Sequence, residues 1–323
     1  MRTPHILHLI SPLPHVSAFD ANLAVDAGFD HVFTYPNVQV DQVQGLVRDA
    51  IFSRNPKRGR FTGVFIGGND ALQAFDMLEA AKRAIVPPFG LSLFVDPGRG
   101  FTAAAAIVAY AERTLLARFG VGLSGRRVVV FGGTKVVGFS AGVIAAGRGA
   151  RVLLVGHDGP SHANKLAAEA ARRFGVTLEA TAGTTDGLKD QALVGAEIVI
   201  GAAGAGVRVL ETRQLAPLTS LRLVIDVNAV PPAGIEGVGG SDDGAPFAGT
   251  RALSIGPLTI GRIKYQVQRG LFRQMIGEDE PVTYSLRHCY RLADRLVSQH
   301  ALGSASPASP ERAGAPGELT RAA

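Results

Sequence analysis

Seven residues, Gly132-Gly133-Thr134-Lys135-Val136-Val137-Gly138, follow a run of β-branched residues and precede an apolar segment of helical character. A strand–loop–helix passage of this kind aims free backbone N–H groups and the positive end of a helix dipole at an anion, and a pyrophosphate suits it. In the pattern G-x-G-x-x-G, the first glycine allows a tight turn. The second lets backbone approach phosphate, and the third lets helix and strand pack closely. Read from Gly133, the first and third places are Gly133 and Gly138, and Lys135 stands in the second. A lysine adds bulk there, but its charge also suits a pyrophosphate. The pattern is weak alone and gains weight inside a β-α-β unit of about 30 residues; a tight turn that binds nothing is the plain alternative. Gly133, Thr134, Lys135, Val136, Val137 and Gly138 are the cofactor-binding candidates of this loop.

The adenosine end of a dinucleotide is read near the end of the next strand. An acid there takes the ribose 2′-hydroxyl of NAD, and a basic residue takes the 2′-phosphate of NADP. "LLVGHDG" places His157 and Asp158 at that point, so NAD is usable and NADP is not excluded. His5, His8, His15 and His31 form no metal-ligand spacing and Cys289 has no cysteine partner, so no metal is expected.

These residues need strands and helices to hold them, and the chain reads as two series of alternating elements. The first has strands at 5–10, 31–35, 62–68 and 90–96. Its helices begin after Ser17 (a candidate N-cap), at 40–52, at 71–84 and from about Thr102 to Phe119. The second starts at Arg126 with "RVVVFGG", the helix 136–147 and "RVLLVGHDG". Helices 161–174 and 184–194 and the strands "VTLEATA", "AEIVIGAA" and "LRLVIDVNA" follow. Such alternation implies parallel sheets covered on both faces. The expected fold is α/β, an N-terminal α/β domain (1–122) followed by a Rossmann-type, doubly wound parallel-sheet domain (123–269). Helices from about 270 to 299 are expected to pack back on the first domain, and the Ala/Ser/Pro/Gly-rich residues 301–323 to form a disordered tail.

Composition narrows the function class. The 323 residues carry a net charge of +6, with basic residues scattered rather than clustered and no tryptophan. That distribution suits a small anionic ligand and argues against nucleic acid. The longest apolar stretch, 103–111, is about half of what a bilayer requires, so no membrane span is expected. No signal peptide is expected from the N-terminal residues, and a single cysteine suits a reducing cytoplasm.

Several segments together carry a family resemblance. "SAFDANLAVDAGFDHV", "FIGGND", "FTAAAA", "VVVFGGTKVVG", "VGHDG", "IDVNAVPPAGI" and "IGPLTIGRIKYQVQRGLF", in that order over roughly residues 5–297, resemble the NAD(P)-dependent methylene-tetrahydromethanopterin dehydrogenases of methylotrophic bacteria. The likeness is to the branch that takes either NAD or NADP, since the NADP-only branch has arginine where this chain has His157. Lys135 departs from the family, which carries glycine there. The methylene-tetrahydrofolate dehydrogenases, with a loop resembling G-R-S-K-I-V-G, have lysine at the same offset and still bind the cofactor.

The resemblance implies hydride transfer from a methylene bridge between two pterin nitrogens to the nicotinamide, leaving a delocalised methenyl cation. No proton moves in that step, so no acid–base pair is required. Close approach, water exclusion and electrostatics matched to positive charge are needed instead. Asp20, on the first turn of its helix, is the expected electrostatic partner, and Lys264 the expected holder of polar pterin groups. The plain alternatives are a dipole-pairing aspartate and a surface lysine. Ser17, Gly67, Gly68, Asp96, Thr102 and Gln266 are candidates for the pterin side. Ala203 and Asn228, at C-terminal strand ends, are candidates for the cofactor. The family likeness also implies a homo-oligomer. Methylene-tetrahydrofolate oxidation, or nucleotide binding without catalysis, are the competing functions.

Overall fold

The computed structural model describes residues 2–157 and 159–304. Strand β1 (Ile6–Ile10) leads through α1 (Ala18–Ala27) to β2 (His31–Tyr35), and α2 (Val40–Phe52) leads to β3 (Thr62–Ile66). Then α3 (Ala71–Ala84), β4 (Ser92–Val95) and the long helix α4 (Gly100–Phe119) complete the first series. The expected N-cap is present, with the Ser17 hydroxyl accepting the Asp20 N–H, and Asp70 caps α3 in the same way through Gln73 N–H.

The second series opens with β5 (Arg127–Phe131), α5 (Val136–Gly147), β6 (Arg151–Gly156), α6 (Pro160–Phe174) and β7 (Glu179–Ala182). It continues through α7 (Asp186–Leu193), β8 (Ile198–Gly201), the single turn α8 (Thr212–Leu215), β9 (Leu223–Asp226), β10 (Asp243–Pro246) and β11 (Leu253–Ile255). Helix α9 (Pro257–Gly277), β12 (Thr283–Tyr284) and α10 (Leu286–Ser304) close the described chain.

The five-stranded sheet has the order β12-β4-β3-β1-β2 and is parallel throughout. The seven-stranded sheet has the order β10-β11-β9-β8-β5-β6-β7, parallel except for β10 at its edge. Counted from β5, its parallel strands run 3-2-1-4-5-6, the doubly wound dinucleotide order, and the first sheet runs 2-1-3-4-5. In both, the strand order reverses beside the first strand, and the crevice at the C-terminal strand ends is where ligands collect.

Helix α4 is buried on almost every face, as its run of alanines from 103 to 106 with Ile107, Val108 and Tyr110 dictates. It packs against α5, α9 and α10 and so joins the two sheets. Helix α9 starts at the end of β11 and runs back to the first sheet, where Phe272 packs on Phe65, Phe94 and Phe29 at centroid distances of 5.2, 5.3 and 6.0 Å. Burying one such ring contributes roughly 1.5–3 kcal/mol. The return segment also adds β12 beside β4, an element the sequence pattern did not announce. One expectation needs correcting at residues 301–304. They continue α10 rather than opening the tail; the rest of that segment lies outside the described residues. Among the described residues no helix is long and apolar enough to cross a membrane.

Candidate active site between the two sheets

At the end of β5, Gly132 turns the chain in the left-handed region, φ +73°, and a Cβ there would stand 2.5 Å from the Ala202 carbonyl. The turn glycine is therefore Gly132, not Gly133. Gly133 has a different task, since its missing Cβ leaves room for Leu154 of β6, 2.9 Å from where it would lie. Gly138 is held to glycine by the Gly132 carbonyl packed against it. Lys135 is the N-cap of α5, its carbonyl accepting the Phe139 N–H at 2.9 Å and its side chain exposed. No side chain caps this helix. Val136 and Val137 pack their side chains on the core and offer only backbone N–H groups at the open first turn.

A groove of about 380 Å³ runs across this point. Gly132 and Lys135 line its middle, His157, Thr184 and Lys189 one end, and Ala203 with Arg208 the other. No carboxylate lines it among the described residues, so it suits a polyanion. Asp158, the expected ribose partner, lies outside the described residues. A narrow turn, an uncapped helix start and a basic groove together fit a dinucleotide.

The first sheet assembles a second group of residues. Asp20 is only 2 % exposed, and its Oδ1 accepts Gln268 Nε2 at 2.9 Å and lies 3.5 Å from Arg99 Nη1. Arg99 also donates to Ser17 Oγ at 2.9 Å and lies over the Phe19 ring at 4.7 Å, with Tyr265 edge-on to that ring at 6.2 Å. The Arg99 backbone sits at φ +58°, an unusual place for a non-glycine residue and one that clusters at functional sites. Asp96 is fully buried. It accepts the Phe101 N–H at 2.8 Å and the Thr102 hydroxyl at 2.7 Å, and burial, helped by the charge of Asp20, pushes its carboxyl up to about 7. Burial holds the Lys264 ammonium below the usual lysine range. The Arg99 charge acts in the same direction, and Asp96 and Asp20 oppose both.

Several candidates fall elsewhere. Gln266 is two residues past Lys264, about 200° around α9, so it does not share the face of Lys264 and Gln268. Gln268, one turn beyond Lys264, is the glutamine that reaches Asp20. The Asn228 carboxamide braces its own loop, accepting the N–H groups of Gly206 and Val230 at 3.1 Å each and donating to Pro232 O at 2.9 Å. Gly68 turns the chain after β3 at φ +112° against Pro12, and Gly67 donates to Ile10 O. Arg99, Gln268, Phe19 and Tyr265 were not singled out from sequence. Only the i, i+4 spacing of Lys264 and Gln268 signalled any of them.

The two groups meet at one contact. A Cβ on Gly100, the first residue of α4, would collide with Cγ1 of Val136, the first residue of α5. The helix start that carries Asp96, Arg99 and Thr102 therefore abuts the uncapped start of α5. A crevice of about 150 Å³ beside them is lined by Asn69 and Asp70 from the first sheet and by Thr134 and Lys135 from the second. Among the described residues no group of three or more His, Cys, Asp or Glu could hold a metal.

Two α/β halves, the second with the doubly wound dinucleotide order, define a two-domain α/β protein with a Rossmann-type half. In keeping with this, the structure resembles an NAD-dependent malic enzyme from Thermotoga maritima (TM-score 0.57, 13% identity, covering 90% of this chain and 84% of the other), a likeness of fold alone. Residues 18–98 match the family described as "Methylene-tetrahydromethanopterin dehydrogenase, N-terminal". The chain is 43% identical over 292 residues to the NAD(P)-dependent methylenetetrahydromethanopterin dehydrogenase of Methylorubrum extorquens, covering 90% of this chain and 98% of that one. It is 32% identical to the "Bifunctional protein MdtA" of the same organism, over 87% of this chain and 95% of that one. The chain belongs to the methylene-tetrahydromethanopterin dehydrogenase family.

Proposed function

We propose that the protein oxidises methylene-tetrahydromethanopterin to the methenyl form by direct hydride transfer to NAD or NADP. The observation that carries this reading is the 43% identity over 90% of the chain to the NAD(P)-dependent methylenetetrahydromethanopterin dehydrogenase, and the abutment of Gly100 on Val136 supports it by setting the start of α4, next to Arg99, against the turn at 132–138. NAD(P), when bound, supplies the hydride acceptor. The backbone of Gly132 to Gly138 and the basic groove would hold its phosphates, with Lys135, His157 and Ala203 along that groove.

Asp20 is the electrostatic partner of the developing methenyl cation. Its carboxylate is fixed by Gln268 and Arg99, so it need not reorganise as charge appears. Lys264 holds polar groups of the pterin. Its desolvated ammonium is partly offset by Asp96 and Asp20, which keeps the net charge of the site low. Phe19 and Tyr265, exposed by 42% and 38%, form an aromatic wall for the pterin, and Arg99 anchors it from behind. Ser17 and Thr102 position Arg99 and Asp96 rather than meeting the substrate. On this reading residues 1–122 hold the pterin and 123–269 the nucleotide. A homo-oligomer in the cytoplasm is expected from the family likeness and the single cysteine.

The test is absorbance at 340 nm with methylene-tetrahydromethanopterin and each nucleotide, with methylene-tetrahydrofolate as the parallel arm. Folded protein that binds nucleotide by calorimetry and turns over neither pterin refutes the proposal. Asp20→Ala should lower kcat about 100-fold while leaving nucleotide affinity in place. Lost folding or lost nucleotide binding would make Asp20 a structural residue instead.

A further inference from the structure

The end of the groove over β6 and β7 holds a lysine that the fold has taken some care to place. Lys189 sits on the first turn of α7, yet its side chain is only 22% exposed, low for a lysine on a surface helix. It lines the groove together with Gly156, His157, Gly183 and Thr184. Gly183 N–H donates to Gly156 O at 2.7 Å, which draws the loop after β7 onto the end of β6. The stem of Lys189 passes alongside, its Cγ 3.7 Å from where a Gly183 Cβ would lie. The end of β6 is the place where a doubly wound sheet reads the ribose 2′ position.

The present partner of Lys189 is Asp186, at 3.3 Å and one turn away. Asp186 is also held by Arg213 at 2.7 Å, and that bond is the larger cause of its lowered pKa. If Lys189 turns away, Asp186 keeps a guanidinium and is not stranded. This lysine can therefore serve a second anion without leaving its first one unpaired.

We propose that Lys189 is a specificity-determining residue that takes the 2′-phosphate of NADP, turning from Asp186 into the groove when that phosphate is present and staying on Asp186 when the ribose carries a hydroxyl. The inference rests on the dinucleotide reading of the groove. A swinging cation of this kind allows both nucleotides, because neither bound state leaves a charge unpaired. A fixed, fully buried base would penalise NAD, and a fixed acid would repel NADP.

The experiment is calorimetry of 2′,5′-ADP and of 5′-ADP on the whole protein and on Lys189→Gln and Lys189→Arg, with KM for NADP and NAD measured on the same preparations. Lys189→Gln should weaken 2′,5′-ADP and raise KM for NADP about 10- to 30-fold, the range of one charge-assisted contact of roughly 1.5–2 kcal/mol. Affinity for 5′-ADP and KM for NAD should stay within about two-fold, and Lys189→Arg should restore most of the 2′,5′-ADP affinity. An equal loss for both nucleotides, or no loss for either, overturns the assignment. If the unmodified protein binds neither nucleotide, the groove is no dinucleotide site and both readings fall. If it binds both and only the variant ratio is unchanged, the Lys189 role alone falls.

Discussion

Replacing Asp96 with asparagine tests how the floor of the site is held. Asp96 Oδ1 accepts the N–H groups of Phe101 and Thr102 at 2.8 and 3.3 Å, and Oδ2 accepts the Thr102 hydroxyl at 2.7 Å. An asparagine keeps this pattern. Its oxygen takes the two N–H groups and its amide donates to Thr102 Oγ1, whose proton then goes to Arg99 O, 3.1 Å away. Only the charge is removed. The carboxyl stands at about 7 in the folded protein against 3.8 for the free group. Below about pH 4 it is protonated in both states and costs nothing. Between 4 and 7 the unfolded chain ionises first, so stability falls as pH rises, by about 1.4 kcal/mol per pH unit. Above 7 the loss is complete, at roughly 4 kcal/mol for a shift of about three units. Asp96→Asn has no such slope, so its melting temperature should pull ahead of the unmodified protein between pH 5 and 7 and stay level above. At about 2 °C per kcal/mol, the gap should widen by about 3 °C per pH unit. Differential scanning fluorimetry across pH 5–8 reads it directly. A gap that is constant over that range would refute the assignment of a buried, late-titrating carboxyl. The charge of Asp20 contributes to the shift, so an Asp20→Ala background should move the plateau to lower pH.

Two further outcomes concern the loop. Gly132→Ala forces a side chain onto a left-handed turn and into the Ala202 carbonyl, and should cost roughly 2–3 kcal/mol and most of the nucleotide affinity; normal melting and normal calorimetry would show that the turn can move aside. Lys135→Gly should keep nucleotide binding, with affinity changed less than about ten-fold. The side chain is exposed, and the uncapped N–H groups after it do the holding. Complete loss of binding would make the lysine, not the backbone, the essential element.

Much of the scaffold was legible in the chain because it depends on local chemistry. Apolar runs ending in glycine marked β5 and β6, and apolar residues at helical spacing marked α1 and α3, with Ser17 the expected cap of α1. The strand–loop–helix passage at 132–138 was legible for the same reason, although the sequence pattern assigned the turn to Gly133 and the backbone conformation belongs to Gly132. Strand β12, two residues long, and β10, which begins Asp-Gly, carry too little periodicity to be read from sequence.

The family, the chain's alternating α/β character and the glycine-bearing turn into α5 were thus decided by residues near one another in sequence. The tertiary structure decided which distant residues work together. Gln268 meets Asp20 across 248 positions because α9 crosses back over α1, and about half a turn of that helix separates the glutamine that arrives from Gln266, which does not. Arg99 joins Ser17 and Asp20 only because the end of β4 lies near the end of β1, with β3 between them. The proposed site lies where Gly100 allows two helix starts to touch, a contact set by the packing of one buried helix against another. Local patterns report the conformation of a few residues, whereas a site built across two sheets is fixed by long-range packing, which no short stretch of sequence encodes.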